Sequence, residues 1–93
     1  RKPNQKIVRA LTRAHARLRD LVSGKFENLE VLAKAENVHP KMMAQELRLA
    51  SLAPDLAEAI LNGDQPSRLT LTGILPALPL SWVQQRRLFW QMK

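Results

Sequence analysis

Apolar residues in the first quarter of the chain recur every three or four positions, which is the spacing of a helix. The pattern runs from Lys6 to Val22 and predicts one amphipathic helix, because residues three and four apart share a helical face. Residues 1–5 are predicted to be a flexible basic lead-in. The stripe expected to be buried consists of Ile7, Leu11, Ala14, Leu18 and Leu21. The cations expected on the opposite, solvated face are Lys6, Arg9, Arg13 and Arg17.

Two short helices are predicted in the middle of the chain. Asn28 can cap the first, which reaches residue 35 or 36, because its side-chain oxygen can accept from a free backbone N–H of the first turn. A tight turn at Asn37 follows, and Pro40, well suited to a first helical position, opens the second helix, which runs to about Ser51. The inner positions of the two helices are Leu29, Leu32, Ala33, Met43, Leu47 and Ala50.

Proline, glycine and serine divide the rest of the chain into three more helices. Pro54 opens one that ends at Asn62-Gly63, a short one covers Thr72 to Ala77 between prolines, and Ser81 caps a last helix over 81–92. No segment has a convincing strand pattern. The residues of the Pro54 helix expected to be buried are Leu56, Ile60 and Leu61.

Composition agrees with a single globular domain. The chain has 93 residues, 45% of them hydrophobic, and the helical pattern predicts an all-α fold, a compact bundle of five to six helices. The net charge of +7 is uneven, with +7 in residues 1–25, −4 in residues 26–66 and +4 in residues 67–93. Basic ends favour nucleic acid as the partner. Because the chain begins at Arg1 rather than Met, we interpret it as a fragment of a longer protein.

Several other classes of function lack their sequence signals. The chain has no cysteine, which excludes disulfides and thiolate zinc sites and fits a cytoplasmic protein. His15 and His39 are far apart, and no glycine-rich phosphate loop is present. We therefore predict no metal, no cofactor and no enzymatic activity for this segment. No apolar run approaches the roughly 20 residues that span a bilayer, so no membrane partner is expected.

The segment 29–49, LEVLAKAENVHPKMMAQELRL, has the spacing of a helix-turn-helix. Ala33 is small where two helices must cross closely, and Asn37 tolerates the positive φ of a sharp turn. Val38 follows as an apolar plug, and Met43 lies five residues further on, inside the second helix. A helix-turn-helix over 28–51 would place the outer face of its second helix in the DNA major groove. An ordinary pair of bundled helices is the alternative.

The candidate base contacts lie on the second helix of this motif. Gln45 suits bidentate bonding to adenine, and Lys41 and Arg48 can bond guanine. His39 lies at the helix N-terminus, where a phosphate can approach. Met42 borders the same face and can contact a thymine methyl group. For each of these residues the alternative is a solvated surface side chain.

Two further sets of residues are candidates for contact. Arginines repeating every four residues on the first helix would lie along one DNA strand and supply affinity without sequence preference, unless they are simply a solvated face. An aromatic face on the last helix is expected to be core, or to dock another subunit or a domain outside this segment. The arginines are Arg9, Arg13 and Arg17, and the aromatic residues are Trp82, Phe89 and Trp90.

Beyond these patterns, the stretch from Leu11 to Arg87 resembles the C-terminal region of bacterial site-specific recombinases of the serine (resolvase/invertase) type. The phrases that carry the resemblance are LTRAHARLRDLVSGKF, LAKAENVHPKMM, LRLASLAPDLAEAILNGDQP, LTL and LPLSWVQQRRL. The resemblance implies a DNA-anchoring domain here and a catalytic serine domain upstream, in a bacterial, nucleoid-associated protein. Residues 47–71 also resemble ParB-type plasmid partition proteins, in which further helices follow a helix-turn-helix.

Two positions depart from many members of the recombinase group, which have Gly in place of Asn37 and an apolar residue in place of Glu46. Glu46 lies beside the inner face of its helix, so we expect it to pair with a basic residue at the rim. Two other functions stay open from the sequence. One is a stand-alone transcription regulator or partition-type protein with the same motif, and the other is a helical protein-interaction adaptor that binds no nucleic acid.

Overall fold

A computed structural model describes residues 2–91, over which the chain forms six α-helices and no strand. Short 3₁₀ turns at Arg48–Ser51 and Leu75–Ala77 directly follow the third and fifth helices. The predicted all-α bundle is confirmed. The helices are α1 (Gln5–Val22), α2 (Leu29–Ala35), α3 (Pro40–Leu47), α4 (Pro54–Leu61), α5 (Leu71–Ile74) and α6 (Trp82–Gln91).

Side-chain caps fix where the first two helices begin. Asn4 Oδ1 accepts from the backbone N–H groups of Lys6 and Ile7, at 3.1 and 3.3 Å, so α1 begins at Gln5. The predicted lead-in over residues 1–5 is therefore too long, and Arg1 lies outside the described residues. Asn28 caps α2 as predicted, with Oδ1 accepting from the Val31 N–H at 2.9 Å.

Two helices end earlier than the sequence predicts, and the predicted end of a third lies outside the described residues. The α-helical part of α3 stops at Leu47, and the chain tightens into a 3₁₀ turn before the extended residue Leu52 redirects it. α5 is likewise short, because Pro76 has no N–H to continue an α-helix. α6 begins after Ser81 and is described to Gln91, so position 92 of its predicted range lies outside the described residues.

The apolar side chains form one large cluster and one small cluster. The large cluster joins α1, α4, α5 and α6 with the 3₁₀ turn that follows α3. The small cluster lies between α2, α3 and the end of α1, and its fully buried members are Leu32, Ala33 and Met43. Partly buried residues complete the small cluster, namely Leu21, Phe26, Leu29, Val38 and Leu47. The α2–α3 pair is thus attached to the rest of the domain through α1 and through the two 3₁₀ turns.

Two predicted core residues are exposed. Leu18 is 40% exposed, because the buried stripe of α1 continues from Ala14 to Arg17, whose side chain bonds to Glu46 of α3. Leu61 is 52% exposed. It follows the buried residue Ile60 at the last position of α4, where its side chain points about 100° away from that of Ile60.

None of the helices within residues 2–91 combines the length and the apolar character needed to cross a membrane.

Candidate nucleic-acid interface

The turn between α2 and α3 is built around one left-handed residue. Asn37 has φ of +56°, and it is the sole non-glycine residue with positive φ in the described part of the chain. Its N–H donates to the Lys34 carbonyl at 3.2 Å, and the next N–H, of Val38, donates to the Ala33 carbonyl at 2.9 Å. These are the two bonds of a Schellman motif, so the sharp turn predicted at Asn37 is confirmed.

The packing that seals the two helices also follows the predicted spacing. Ala33 and Met43 have no exposed surface, and Val38 packs, partly buried, against the same cluster. Ala33 carries only a methyl group, which is the small side chain that a close crossing of two helices requires. The α2–α3 pair therefore has the turn and the inner contacts that the sequence predicts for a helix-turn-helix.

His39 caps the helix that follows the turn. Its Nδ1 accepts from the Lys41 N–H at 3.1 Å, and its side chain is exposed. This contact requires Nδ1 to be unprotonated, since a protonated ring nitrogen cannot accept a hydrogen bond. His39 thus has a structural role that the sequence analysis did not assign.

The residues predicted to form the outer surface of α3 differ in how far they are exposed to solvent. Lys41, Met42 and Arg48 are exposed, with Arg48 in the first position of the 3₁₀ turn. Gln45 is half-buried. It lines an open, largely apolar groove of about 470 Å³ between α3 and α5. The other residues lining the groove are Met42, Glu46, Leu71, Thr72, Leu75 and Pro76.

The prediction that Arg17 lies on a solvated, DNA-facing surface is wrong. Arg17 is only 7% exposed, and its Nε and Nη2 donate to Glu36 Oε1 at 3.0 and 2.8 Å. Its Nη1 donates to Glu46 Oε1 at 2.8 Å. This arginine joins α1 to the end of α2 and to α3, and it has almost no surface to offer a duplex.

The carboxylates around Arg17 favour its charged form. Burial by itself opposes the charged form, but the hydrogen bonds to Glu36 and then to Glu46 outweigh burial and raise the pKa of Arg17 above its ordinary value. A repeat of arginines in the sequence could not reveal this, because the two carboxylates come from other helices. The expectation that Glu46 pairs with a basic residue is confirmed.

The remaining arginines of the predicted row are accessible. Arg9 is exposed, and the Arg13 side chain is 46% exposed with Nη2 at 3.6 Å from Glu46 Oε1. Arg13 therefore lies close to α3, while Arg9 is one turn further toward the N-terminus. The row of three is reduced to two accessible arginines.

Of the three aromatic residues of α6, one is buried in the core and two lie at the surface. Phe89 is buried in the large cluster, and its ring meets that of Trp90 edge to face at 4.8 Å between centroids. Trp82 and Trp90 are both partly exposed. Trp82 nevertheless donates from Nε1 to the Ser51 carbonyl at 2.9 Å, which fixes the start of α6 against the turn that follows α3.

Gln85 is a buried polar residue that the sequence analysis missed. Its Oε1 accepts from the Ala53 N–H at 2.8 Å, and its Nε2 donates to the carbonyls of Pro79 and Ser51 at 2.9 and 3.3 Å. Helical spacing places Gln85 on the same face as Phe89, four residues later, but it does not show the partners from residues 51, 53 and 79 that allow the amide to be buried. Gln85 ties α6 to the connection between the helix-turn-helix and α4.

A surface ion pair also joins α4 and α6. Arg86 donates through Nε and Nη2 to the Asp55 carboxylate at 3.0 to 3.2 Å. The hydrogen bonds from Arg86 hold the pKa of Asp55 below its ordinary value, and the same bonds raise the pKa of Arg86. Both groups are well exposed to solvent, so this pair orients α6 more than it stabilises the fold.

Within residues 2–91, no three His, Cys, Asp or Glu side chains are grouped so that they could hold a metal ion. Comparison with known protein families, with curated proteins and with solved structures finds no match to this chain.

Proposed function

We propose that this chain binds double-stranded DNA, with α3 as the helix that enters the major groove. The observation that carries the proposal is the left-handed turn at Asn37, sealed by Ala33 and Met43, which joins two short helices while leaving Lys41 exposed on the second. A helix-turn-helix reads DNA with residues near the start of its second helix. Lys41 and Gln45 lie one turn apart on α3, as such readout requires.

The charge distribution supports a polyanionic partner. Arg17 offsets charge on Glu36 and Glu46, and Arg86 pairs with Asp55, so these acidic residues are already paired within the domain. Exposed cations such as Arg9, Arg13, Lys41 and Arg48 are left to contact phosphates. Non-specific attraction of this kind releases counterions and depends steeply on salt.

We further propose that the domain anchors a site-specific recombinase to its target. This proposal rests on the resemblance of residues 11–87 to the serine recombinases, with a stand-alone regulator or partition-type protein as the alternative that uses the same surface. Reading the gene upstream of this segment separates the two. A serine recombinase domain encoded there would support the first, and its absence would favour the second.

A helical interaction adaptor is the second candidate function. Exposed apolar side chains at the start of α6 and just before it favour an adaptor, because grouped exposed apolar residues mark protein interaction sites and Trp is enriched there. These side chains are Leu80, Trp82 and Val83. An adaptor would bind no duplex at any salt concentration, so DNA binding decides between the candidates.

The experiment is to select preferred duplexes from a random pool and to measure their affinity by fluorescence anisotropy at two salt concentrations. With four phosphate contacts, we expect affinity to fall about a hundredfold between roughly 50 and 200 mM salt. Gln45→Ala should reduce the preference for the selected duplex over a scrambled one by about tenfold, since one bidentate base contact is lost.

Arg87→Ala is the matched control, because Arg87 is an exposed arginine on α6, outside the proposed surface. It should leave the preference unchanged and lower affinity far less than Arg48→Ala does. Absence of salt-sensitive binding by the unaltered chain would refute DNA binding. Binding that Lys41→Ala and Gln45→Ala both leave unchanged would refute the assignment of α3.

A further inference from the structure

One oxygen of Glu46 lies between two arginines of α1. Glu46 Oε1 accepts from Arg17 Nη1 at 2.8 Å on its buried side, and Arg13 Nη2 lies 3.6 Å from the same oxygen on the exposed side. The Glu46 side chain is itself only 15% exposed. Arg13 and Arg17 are four residues apart on one helix, so the carboxylate of α3 bridges two successive turns of α1.

The outer arginine of this cluster keeps its hydrogen-bonding capacity. At 3.6 Å, Arg13 is attracted to Glu46 by charge, but the distance is too long for a hydrogen bond. A guanidinium has five N–H donors, so Arg13 can donate to a phosphate while Glu46 still holds it. Glu46 also lines the groove beside Gln45, which puts Arg13 next to the proposed reading surface.

We infer that Glu46 is a positioning residue for DNA binding: held from beneath by Arg17, it aims Arg13 at the phosphate that flanks α3. This inference rests on the proposed function. Arg13 is then an energetic partner of α3 and differs from Arg9, which has no such carboxylate beside it among the ion pairs of the described residues. The four-residue spacing in the sequence does not distinguish the two arginines.

A positioning role for Glu46 predicts the opposite of what is usual for an acidic residue near DNA. A carboxylate close to a polyanion repels it, so removing the charge should raise affinity and leave every cation's contribution unchanged. A positioning carboxylate behaves differently. Removing its charge frees Arg13 to sample many rotamers, and the contribution of Arg13 to binding becomes smaller.

A double-mutant cycle tests this on the selected duplex. We expect Arg13→Ala to weaken binding about fivefold to tenfold in the otherwise unaltered chain. In a chain that already carries Glu46→Gln, the loss of affinity caused by Arg13→Ala should be at least about threefold smaller. Glu46→Gln retains a side-chain oxygen for Arg17, so the fold is expected to persist. Arg9→Ala is the matched control and should weaken binding equally in both backgrounds.

The order of the Arg13 side chain provides a readout that needs no DNA. In the free protein, the heteronuclear NOE of Arg13 Nε should fall on Glu46→Gln, while that of Arg9 stays unchanged. Additive effects in the cycle, or an Arg13 side chain equally ordered in both proteins, would overturn the inference and leave the proposed function intact. A chain that binds no duplex would overturn both.

Discussion

Asn37 determines the path of the chain between α2 and α3. Its φ of +56° is left-handed, a conformation in which most side chains strain against the backbone, while Asn tolerates it and Gly adopts it freely. The residue after it, Val38, belongs to the small cluster. The orientation of α3 relative to α2 therefore depends on a single backbone conformation.

Substitution at this position should separate backbone strain from side-chain contacts. We expect Asn37→Ala to lower the free energy of unfolding by about 1 kcal/mol and Asn37→Gly to leave it unchanged or raise it slightly. Urea denaturation followed by circular dichroism measures both. Lys34→Ala, at an exposed helical position of α2, is the control. An alanine variant as stable as the glycine variant would contradict the role given to Asn37.

Arg17 holds three helices through two carboxylates. Arg17→Met should destabilise the domain by about 2–3 kcal/mol, because the buried Glu46 loses its hydrogen-bond donor and keeps only the exposed Arg13, 3.6 Å away. Glu36 is half-exposed and partly screened by water, so it contributes less to the loss. Thermal and urea unfolding measure the loss. Adding Glu46→Met to Arg17→Met should recover part of it, since the orphaned charge is removed.

Arg13→Met is the comparison for Arg17→Met, because it removes an arginine near the same carboxylate but from an exposed position. It should change the free energy of unfolding by less than about 0.5 kcal/mol. Equal losses for the two arginines would show that burial of Arg17 does not matter. Failure of Glu46→Met to improve the Arg17→Met protein would show that the orphaned carboxylate is not the cause of its instability.

At the scale of elements, α6 is fixed by polar contacts to the connection between the 3₁₀ turn and α4, and by Phe89 to the large cluster. Both Trp82 and Gln85 donate to the carbonyl of Ser51, and Gln85 also accepts from the Ala53 N–H. These backbone groups lie where the chain leaves the 3₁₀ turn and enters α4. α6 thereby supplies the hydrogen bonds that this connection does not make within itself.

Gln85→Met tests that connection with little change in side-chain volume. It should reduce the free energy of unfolding by about 2–3 kcal/mol, because the buried Ala53 N–H and Pro79 carbonyl lose their partner. Gln84→Met, at the adjacent exposed position of the same helix, should change it by less than about 0.5 kcal/mol. If urea denaturation gives similar values for the two variants, α6 is not anchored by Gln85.

At the scale of the whole molecule, the domain has two apolar clusters of unequal size. The large one includes residues from α1, α4, α5 and α6, whereas the small one has only three fully buried members. Since burial of apolar surface is the main source of stability, the α2–α3 pair should open more easily than the rest. If α3 binds a duplex as proposed, local opening would let this pair adjust to the duplex without unfolding the domain.

Native-state hydrogen exchange measures this difference directly. Amides in the middle of α2, such as that of Ala33, should exchange by local opening at a free energy below that of global unfolding. Amides in α1 near Ala10 and Ala14, which are fully buried in the large cluster, should exchange only on global unfolding. Identical opening free energies for both regions would show that the two clusters unfold as one unit.

The sequence by itself determined the elements and the turn. Apolar spacing, the cap at Asn28, Pro40 and Pro54 at first helical positions and the left-handed tolerance of Asn37 are local properties, and the helices begin within a residue or so of their predicted starts. Ala33 and Met43 were also identified as buried from spacing alone, because each helix has one apolar stripe. The DNA contacts on α3 stay predictions.

Only the tertiary structure decided which polar residues are internal. A helical pattern shows Arg9, Arg13 and Arg17 as one row, yet Arg17 is buried because Glu36 and Glu46, from distant parts of the chain, surround it. Gln85 is buried for a related reason, since its partners lie at residues 51–53 and 79. The physical cause is the same in both cases. A polar side chain can leave water only where other segments supply its hydrogen bonds, and local spacing does not record where those segments meet.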